Sequence, residues 1–296
     1  MTHSAPSKHP LDRVALETTL LVHGVPRERA LPLFFELSEI VRSEGAVPAL
    51  TGLVEGRPVV GMTSEQLSTL LSADTPKANT ANLGIWMARG RSAATTVSST
   101  MELAAGAGVQ VFATGGLGGV HRGYGRAWDV SADLAAFTRF PVAVVTSGVK
   151  SILDVVATRE SLETLGVPVV GVSTDCFPAF YLRESGAGVD ACFDSIEELA
   201  EFLVVELPRT GRGVVVANPI PEEDALAPAD WERWLGEARA LVAGRALSGR
   251  EVTPALLSAL VQVSDGETLR ANEALVRHNA RIAARLRRQM TRVSER

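Results

Sequence analysis

Lysine is nearly absent from this chain: of 29 basic residues among 296, only Lys8, Lys77 and Lys150 are lysines, and the rest are arginines. Arginine stays protonated in proteins, whereas a lysine amine can lose its proton when buried and act as a nucleophile. A chain that uses arginine wherever a positive charge will do keeps an internal lysine for what arginine cannot do. Lys8 lies in an N-terminal stretch expected to be flexible, which leaves Lys77 and Lys150. Cysteine is also scarce. Cys176 and Cys192 are the only two, in neither a Cys-x-x-Cys pair nor a metal-ligand spacing, so a disulfide framework and a thiolate metal site are excluded and both are expected to be small buried apolar residues. No apolar run approaches the ~18 residues of a membrane span. Residues 1–10 lack the apolar core of a signal peptide, so the expected location is cytoplasmic. A basic excess is missing too: the net charge is -5. Binding to a phosphate backbone usually needs a basic face, so the expected partner is a small molecule rather than nucleic acid or membrane.

What is present is a soluble-protein core, with 46% hydrophobic and 21% charged residues, in a length suited to one large domain. Apolar runs bounded by Gly and Pro predict strands at 14–16, 47–53, 58–60, 95–97, 111–113, 142–146, 169–172 and 213–217. Segments with an apolar recurrence near 3.6 predict helices at 27–44, 64–71, 80–89, 99–107, 131–138, 151–165 and 195–206, several led by a Ser or Thr cap. Past Asn218-Pro219-Ile220-Pro221 the chain turns helical, with a basic helix over 277–292 fraying into the tail. This alternation predicts an α/β fold: one three-layer α/β/α domain over residues 11–290, with a largely parallel or mixed central sheet and flexible tails at 1–10 and 291–296.

In such sheets ligands bind beyond the carboxyl ends of strands, at Gly-rich turns and helix N-termini. The run Thr114-Gly115-Gly116-Leu117-Gly118-Gly119-Val120-His121-Arg122-Gly123 is placed there, but its glycines miss the G-x-G-x-x-G register, because the last position falls on His121. The run from Val142 to Asp154 predicts a strand, a tight turn and a helix start with Lys150 at the turn. There the helix dipole and partial burial would disfavour the ammonium form; this segment alone leaves a nucleophile and a solvated surface lysine both open. In Asp129-Val130-Ser131-Ala132-Asp133, two acids flank a Ser at a loop-to-helix junction, where Asp129 or Ser131 could cap the helix and Asp133 complement its dipole. Ala94-Thr95-Thr96-Val97-Ser98-Ser99 offers hydroxyls and a helix start suited to a phosphate or sugar. Glu17 ends the strand at 14–16, where it is either a loop cap or a half-buried acid with the raised pKa a proton donor needs.

Taken in order, these segments resemble the pseudouridine-5'-phosphate glycosidases, the indigoidine synthase A-like family, from Val14 to near Met290. The residues that carry the resemblance are Ala15-Leu16-Glu17-Thr18-Thr19, Gly45-Ala46-Val47-Pro48-Ala49, Ala94-Thr95-Thr96-Val97, the glycine run from Thr114 to Gly123, Asp129-Val130-Ser131-Ala132-Asp133, Lys150-Ser151-Ile152-Leu153-Asp154, Phe177-Pro178-Ala179-Phe180-Tyr181 and Val216-Ala217-Asn218-Pro219-Ile220-Pro221-Glu222. The resemblance implies that Lys150 is a Schiff-base nucleophile, Glu17 the proton donor and Asp129 the ligand of a manganese ion (Mn2+). It implies that Lys77, Thr96, Val97, Ser131, Ala132 and Asp133 contact substrate, that Asp133 assists catalysis, and that His121 and Asn272 are further active-site positions. It also implies a homotrimer. The implied reaction is reversible cleavage of pseudouridine 5'-phosphate to uracil and ribose 5-phosphate. A bond to carbon cannot be cut by protonating a good leaving atom, as two carboxyl groups do for O-glycosides. An iminium at the sugar carbon lets that bond be broken or made.

The chain departs from the family where Ala78-Asn79-Thr80-Ala81-Asn82 follows Lys77 in place of a Ser-Arg-Arg-Asp pattern. It departs again at Tyr124-Gly125-Arg126-Ala127-Trp128 and at Val172-Ser173-Thr174-Asp175-Cys176. These changes lie away from the nucleophile, which leaves two explanations: retained bond chemistry with a changed aglycone, or family drift without a change of substrate. The second reading is therefore a C-glycosynthase joining ribose 5-phosphate to another acceptor. A third, of another class, is a non-catalytic sugar-phosphate binding protein. A sugar kinase fits poorly, since the chain has no P-loop.

Overall fold

The computed structural model describes residues 12–122, 129–243 and 249–296. Among the described residues ten strands make one sheet: β1 (Arg13–Glu17), β2 (Val47–Val54), β3 (Arg57–Val60), β4 (Lys77–Ala78), β5 (Ala93–Thr95), β6 (Val111–Ala113), β7 (Ala143–Thr146), β8 (Val169–Val172), β9 (Ala191–Phe193) and β10 (Val214–Ala217). They lie in the order β4-β5-β2-β1-β6-β7-β10-β8-β9, with β3 pairing β2. All pairings are parallel except β2 with β3 and β2 with β5. The central strands Val111–Ala113, Ala143–Thr146 and Val214–Ala217 are buried along their whole length. That burial is why they read as unbroken apolar runs rather than alternating ones: helices cover both sides of a parallel sheet. The helix Glu267–Ser294 packs on β1, β6 and β7 and on the helices Arg27–Ser43 and Ile196–Thr210, while the helix Val97–Gly106 packs on β1, β2 and the helix Ala132–Ala136. The result is the expected α/β/α sandwich. Among the described residues, no helix is long and apolar enough to cross a membrane.

Several elements differ from expectation. Strand β5 ends at Thr95, and Val97, expected to close that strand, opens a helix because Thr96 is its extended N-cap. The helix expected from 151 begins at Val155, where the Asp154 carboxylate accepts a hydrogen bond from the Ala157 N–H. Lys150 thus sits outside the first turn, beyond the reach of the dipole argument, whose effect fades within one turn. The terminal helix begins at Glu267, ten residues before the expected start, because its buried side runs from Thr268 to Met290. The two cysteines are not core residues: Cys176 is half-buried and Cys192 exposed, the latter because β9 is the sheet's edge strand.

Candidate active site

The sheet's order reverses between β1 and β6, the switch point where α/β sheets open a crevice beyond their strand ends. Glu17 closes β1, Thr114-Gly115-Gly116 follows β6, and Ser147 to Lys150 follow β7, so three neighbouring strands deliver their last residues to one place. Lys77 arrives from the opposite direction. Glu17 is level with Thr51 on β2; the next residue, Gly52, pairs with Ala94, which pairs with Lys77. The start of a strand running against β1 therefore lies at the same edge as Glu17. One pocket is lined by Glu17, Lys77 and Lys150 together with Thr19, Leu20, His23, Gly115, Gly116, Phe180, Leu257 and Asn272.

The Lys150 turn is held on both sides. Leu117 N–H donates to the Gly148 carbonyl at 2.9 Å and Lys150 N–H to the Leu117 carbonyl at 3.2 Å, a short parallel bridge tying the glycine run to the turn. Gly148 has φ +75, and a Cβ there would come 1.8 Å from the Pro178 carbonyl oxygen, so only glycine lets the chain turn here. Below it, Ser151 Oγ donates to the Ala179 carbonyl at 2.5 Å and Phe180 N–H to the Ser147 carbonyl at 2.8 Å. Phe180 itself has φ 59. A bulky residue in that region is a backbone outlier of the kind that collects at functional sites.

Glu17 is 7% exposed and accepts a hydrogen bond from Thr114 Oγ1 at 2.5 Å. Its carboxyl is pushed above the ordinary range by burial, against the pull of Lys150 and of the Thr114 hydroxyl. Lys77 is brought down to about 8, first by burial and then by the like charge of Lys150, with Glu17 opposing. Burial first, and then Lys77, also lower His23. The pocket thus holds a protonatable acid and two amines that feel one another.

The remaining expected residues fall elsewhere. Asp133 does not line the pocket: Oδ1 accepts the Ser98 N–H and Oδ2 the Gly118 N–H, each at 2.9 Å. It ties the Val97–Gly106 helix start to the glycine run, close enough to Glu17 to raise its pKa. Ser131 caps the short helix opened by Ala132, its Oγ accepting the Asp133 N–H. The Val97 side chain is buried, so a ligand could meet only its backbone. Thr96 Oγ1 lies 3.1 Å from Ser98 Oγ, and the Thr80 N–H donates to that Ser98 hydroxyl, which sets the altered 78–82 segment over this helix start. His121 Nδ1 is 3.7 Å from Asp129 Oδ2, away from the lysine pocket. Among the described residues no three His, Cys, Asp or Glu side chains gather as a metal site. Asp129, with a 45% exposed side chain, fits only a hard cation that keeps most of its water. The altered positions 124–128 lie outside the described residues. His23 was missed by sequence reasoning; a single imidazole at the end of the six-residue helix Thr18–His23 carries no spacing signal.

The double anchorage of Asp133 has a measurable consequence. In Asp133→Asn one backbone N–H faces an NH2 group, so a charge-assisted bond becomes a donor–donor contact. Thermal or denaturant unfolding should show a loss of about 1–3 kcal/mol. Unchanged stability would mean that the tie is not what Asp133 supplies.

An α/β/α sheet with two lysines and a buried carboxyl lining one pocket at its switch point defines a protein suited to a small-molecule substrate. More narrowly, the chain belongs to the indigoidine synthase A-like family, whose model matches residues 3–289. It is 44% identical over 296 residues to the pseudouridine-5'-phosphate glycosidase of Symbiobacterium thermophilum, covering 97% of this chain and 96% of that one. It is 46% identical to that of Nocardioides sp., covering 93% and 91%. Its structure matches an indigoidine synthase A-like protein of Thermotoga maritima with TM-score 0.87 at 39% identity, over 94% of this chain and 92% of that one. It also matches the prealnumycin C-glycosynthase in complex with ribulose 5-phosphate, with TM-score 0.88 at 35% identity, over 96% and 94%.

Proposed function

We propose that this chain is a C-glycosidase that reversibly cleaves pseudouridine 5'-phosphate to uracil and ribose 5-phosphate through a Schiff base on Lys150. The observation that carries the reading is the convergence of Lys150, Glu17 and Lys77 on one pocket, in a chain 44% and 46% identical to proteins of that name. Lys150 adds to C1' as the C1'–O4' bond opens, and the protonated Glu17 gives its proton to O4'. The nitrogen returns a proton to Glu17. Its lone pair then forms the iminium while the C1'–C5 electron pair leaves with the base, whose C5 takes the proton from Glu17. Water releases the sugar aldehyde and the free amine, and the proton set free in this hydrolysis returns to Glu17. A carboxyl raised by burial suits this shuttle, since it stays protonated at higher pH than an exposed glutamate. Thr96, Val97, Ser131, Ala132 and Asp133 would bound the substrate around the helix start that Asp133 anchors. Asp129, beside His121, would hold Mn2+, whose charge when bound helps position an anionic substrate. The trimer implied by the resemblance belongs to the same proposal and is checked by light scattering.

Incubation with pseudouridine 5'-phosphate, and separately with ribose 5-phosphate plus uracil, followed by mass spectrometry and repeated with a chelator, tests the reading. Turnover in both directions is expected. The C-glycosynthase reading is favoured by the altered segment after Lys77 and the likeness to the prealnumycin enzyme; failure in both directions would select it.

Lys77 adds a pH test. Below about pH 8 it is an ammonium donor and above that a neutral amine. The KM of the wild type should rise above this pH while Lys77→Arg, with a poorer but permanent cation, gives a KM that stays flat from pH 7 to 9. Parallel profiles would remove Lys77 from substrate binding.

A further inference from the structure

Among the described residues six buried side-chain polar atoms have no hydrogen-bond partner, and two of them, His23 Nε2 and Asn272 Oδ1, belong to residues that line the pocket. Asn272 is 6% exposed. Its orientation follows from its neighbour, because Nδ2 donates to the Gly24 carbonyl at 3.4 Å and so leaves the oxygen bare. For His23, the Thr75 backbone group that favours a ring proton must face Nδ1, since Nε2 has no partner. A carbonyl can only accept, so Nδ1 carries the proton and Nε2 is a bare acceptor in the neutral ring. Burial and the Lys77 charge keep the ring in that neutral form. Buried acceptors without partners are rare and costly. Two in one pocket mark a place where a ligand brings donors.

The kind of ligand follows from the rest of the lining. Leu20, Leu257 and Phe180 make apolar wall beside these acceptors, which suits a flat ring better than a polyol. Sugar hydroxyls both donate and accept, and so do not require two bare acceptors. A ring N–H only donates. Lys77, near enough to bias the His23 titration, supplies a donor for a ring carbonyl. We propose that His23 Nε2, with Asn272 Oδ1, receives the ring N–H groups of the departing base and makes His23 a specificity-determining residue for a cyclic ureide of the uracil type.

This inference rests on the glycosidase reading, so its test separates the two. In the synthesis direction, the KM values for uracil and for ribose 5-phosphate are measured for wild type, His23→Leu and His23→Gln. Borohydride trapping with ribose 5-phosphate alone is run on each. His23→Leu should raise the KM for uracil about tenfold, the cost of leaving one N–H unpaired. It should leave the KM for ribose 5-phosphate and the trapping within about twofold, and His23→Gln, which keeps an acceptor, should recover part of the loss. The wild type should also discriminate against 1-methyluracil or 3-methyluracil, and His23→Leu should lose that discrimination for one of them. A matching rise in the ribose 5-phosphate KM, lost trapping, or no change in the uracil KM would overturn the assignment. Absence of trapping in the wild type would instead overturn the Schiff-base reading beneath it.

Discussion

Lys150→Arg should lose turnover by roughly a thousandfold or more while unfolding at the temperature of the wild type, and Lys150→Ala should do the same. Arginine restores the positive charge and most of the reach, so a lysine that merely held an anion would be replaced at modest cost. A guanidinium stays protonated and forms no Schiff base. The turn itself does not depend on the side chain: Gly148, the bridge to Leu117 and the Ser151 hydroxyl hold it through backbone groups and one neighbouring Oγ. A loss of activity with retained stability is therefore a statement about the amine. Substantial activity in Lys150→Arg would remove the nucleophile from the account.

Glu17→Gln should cost about 10²- to 10⁴-fold in kcat, the usual worth of a general acid, with a much smaller change in KM. The substitution is close to isosteric, and the amide oxygen can still accept from the Thr114 hydroxyl, so the end of β1 should stay in place. What is lost is the proton. In the wild type the raised carboxyl should give kcat an alkaline limb, because activity falls as pH rises through the folded pKa and the donor ionises. Glu17→Gln should lack that limb. A wild-type limb that persists in Glu17→Gln would belong to another group and would take the proton shuttle away from Glu17.

The two lysines were legible because arginine fills nearly every other basic position, and the sheet was legible because buried parallel strands read as bounded apolar runs. Other features left no such trace. Strand β4 has two residues and β9 three, the latter half exposed or more on an edge, so neither builds a pattern long enough to see. The helix Thr18–His23 follows β1 without a side-chain cap and spans six residues, too short for a 3.6-residue recurrence. That hid His23 entirely. Asp133 shows a different gap: its residue type and neighbours suit catalysis and helix capping alike. Only the positions of Ser98 N and Gly118 N reveal that both carboxylate oxygens are already engaged. Conversely, nothing in the order of the chain shows that Lys77 would reach the edge where Glu17 ends, because that depends on β5 running against β2.

The most direct measurement is borohydride reduction of the protein with ribose 5-phosphate, followed by peptide mapping. With only three lysines in the chain, the adduct can be assigned without ambiguity. The account predicts a reduced pentose-phosphate adduct on Lys150 and none on Lys77 or Lys8. An adduct confined to Lys77, or none under conditions in which the enzyme turns over, would contradict it.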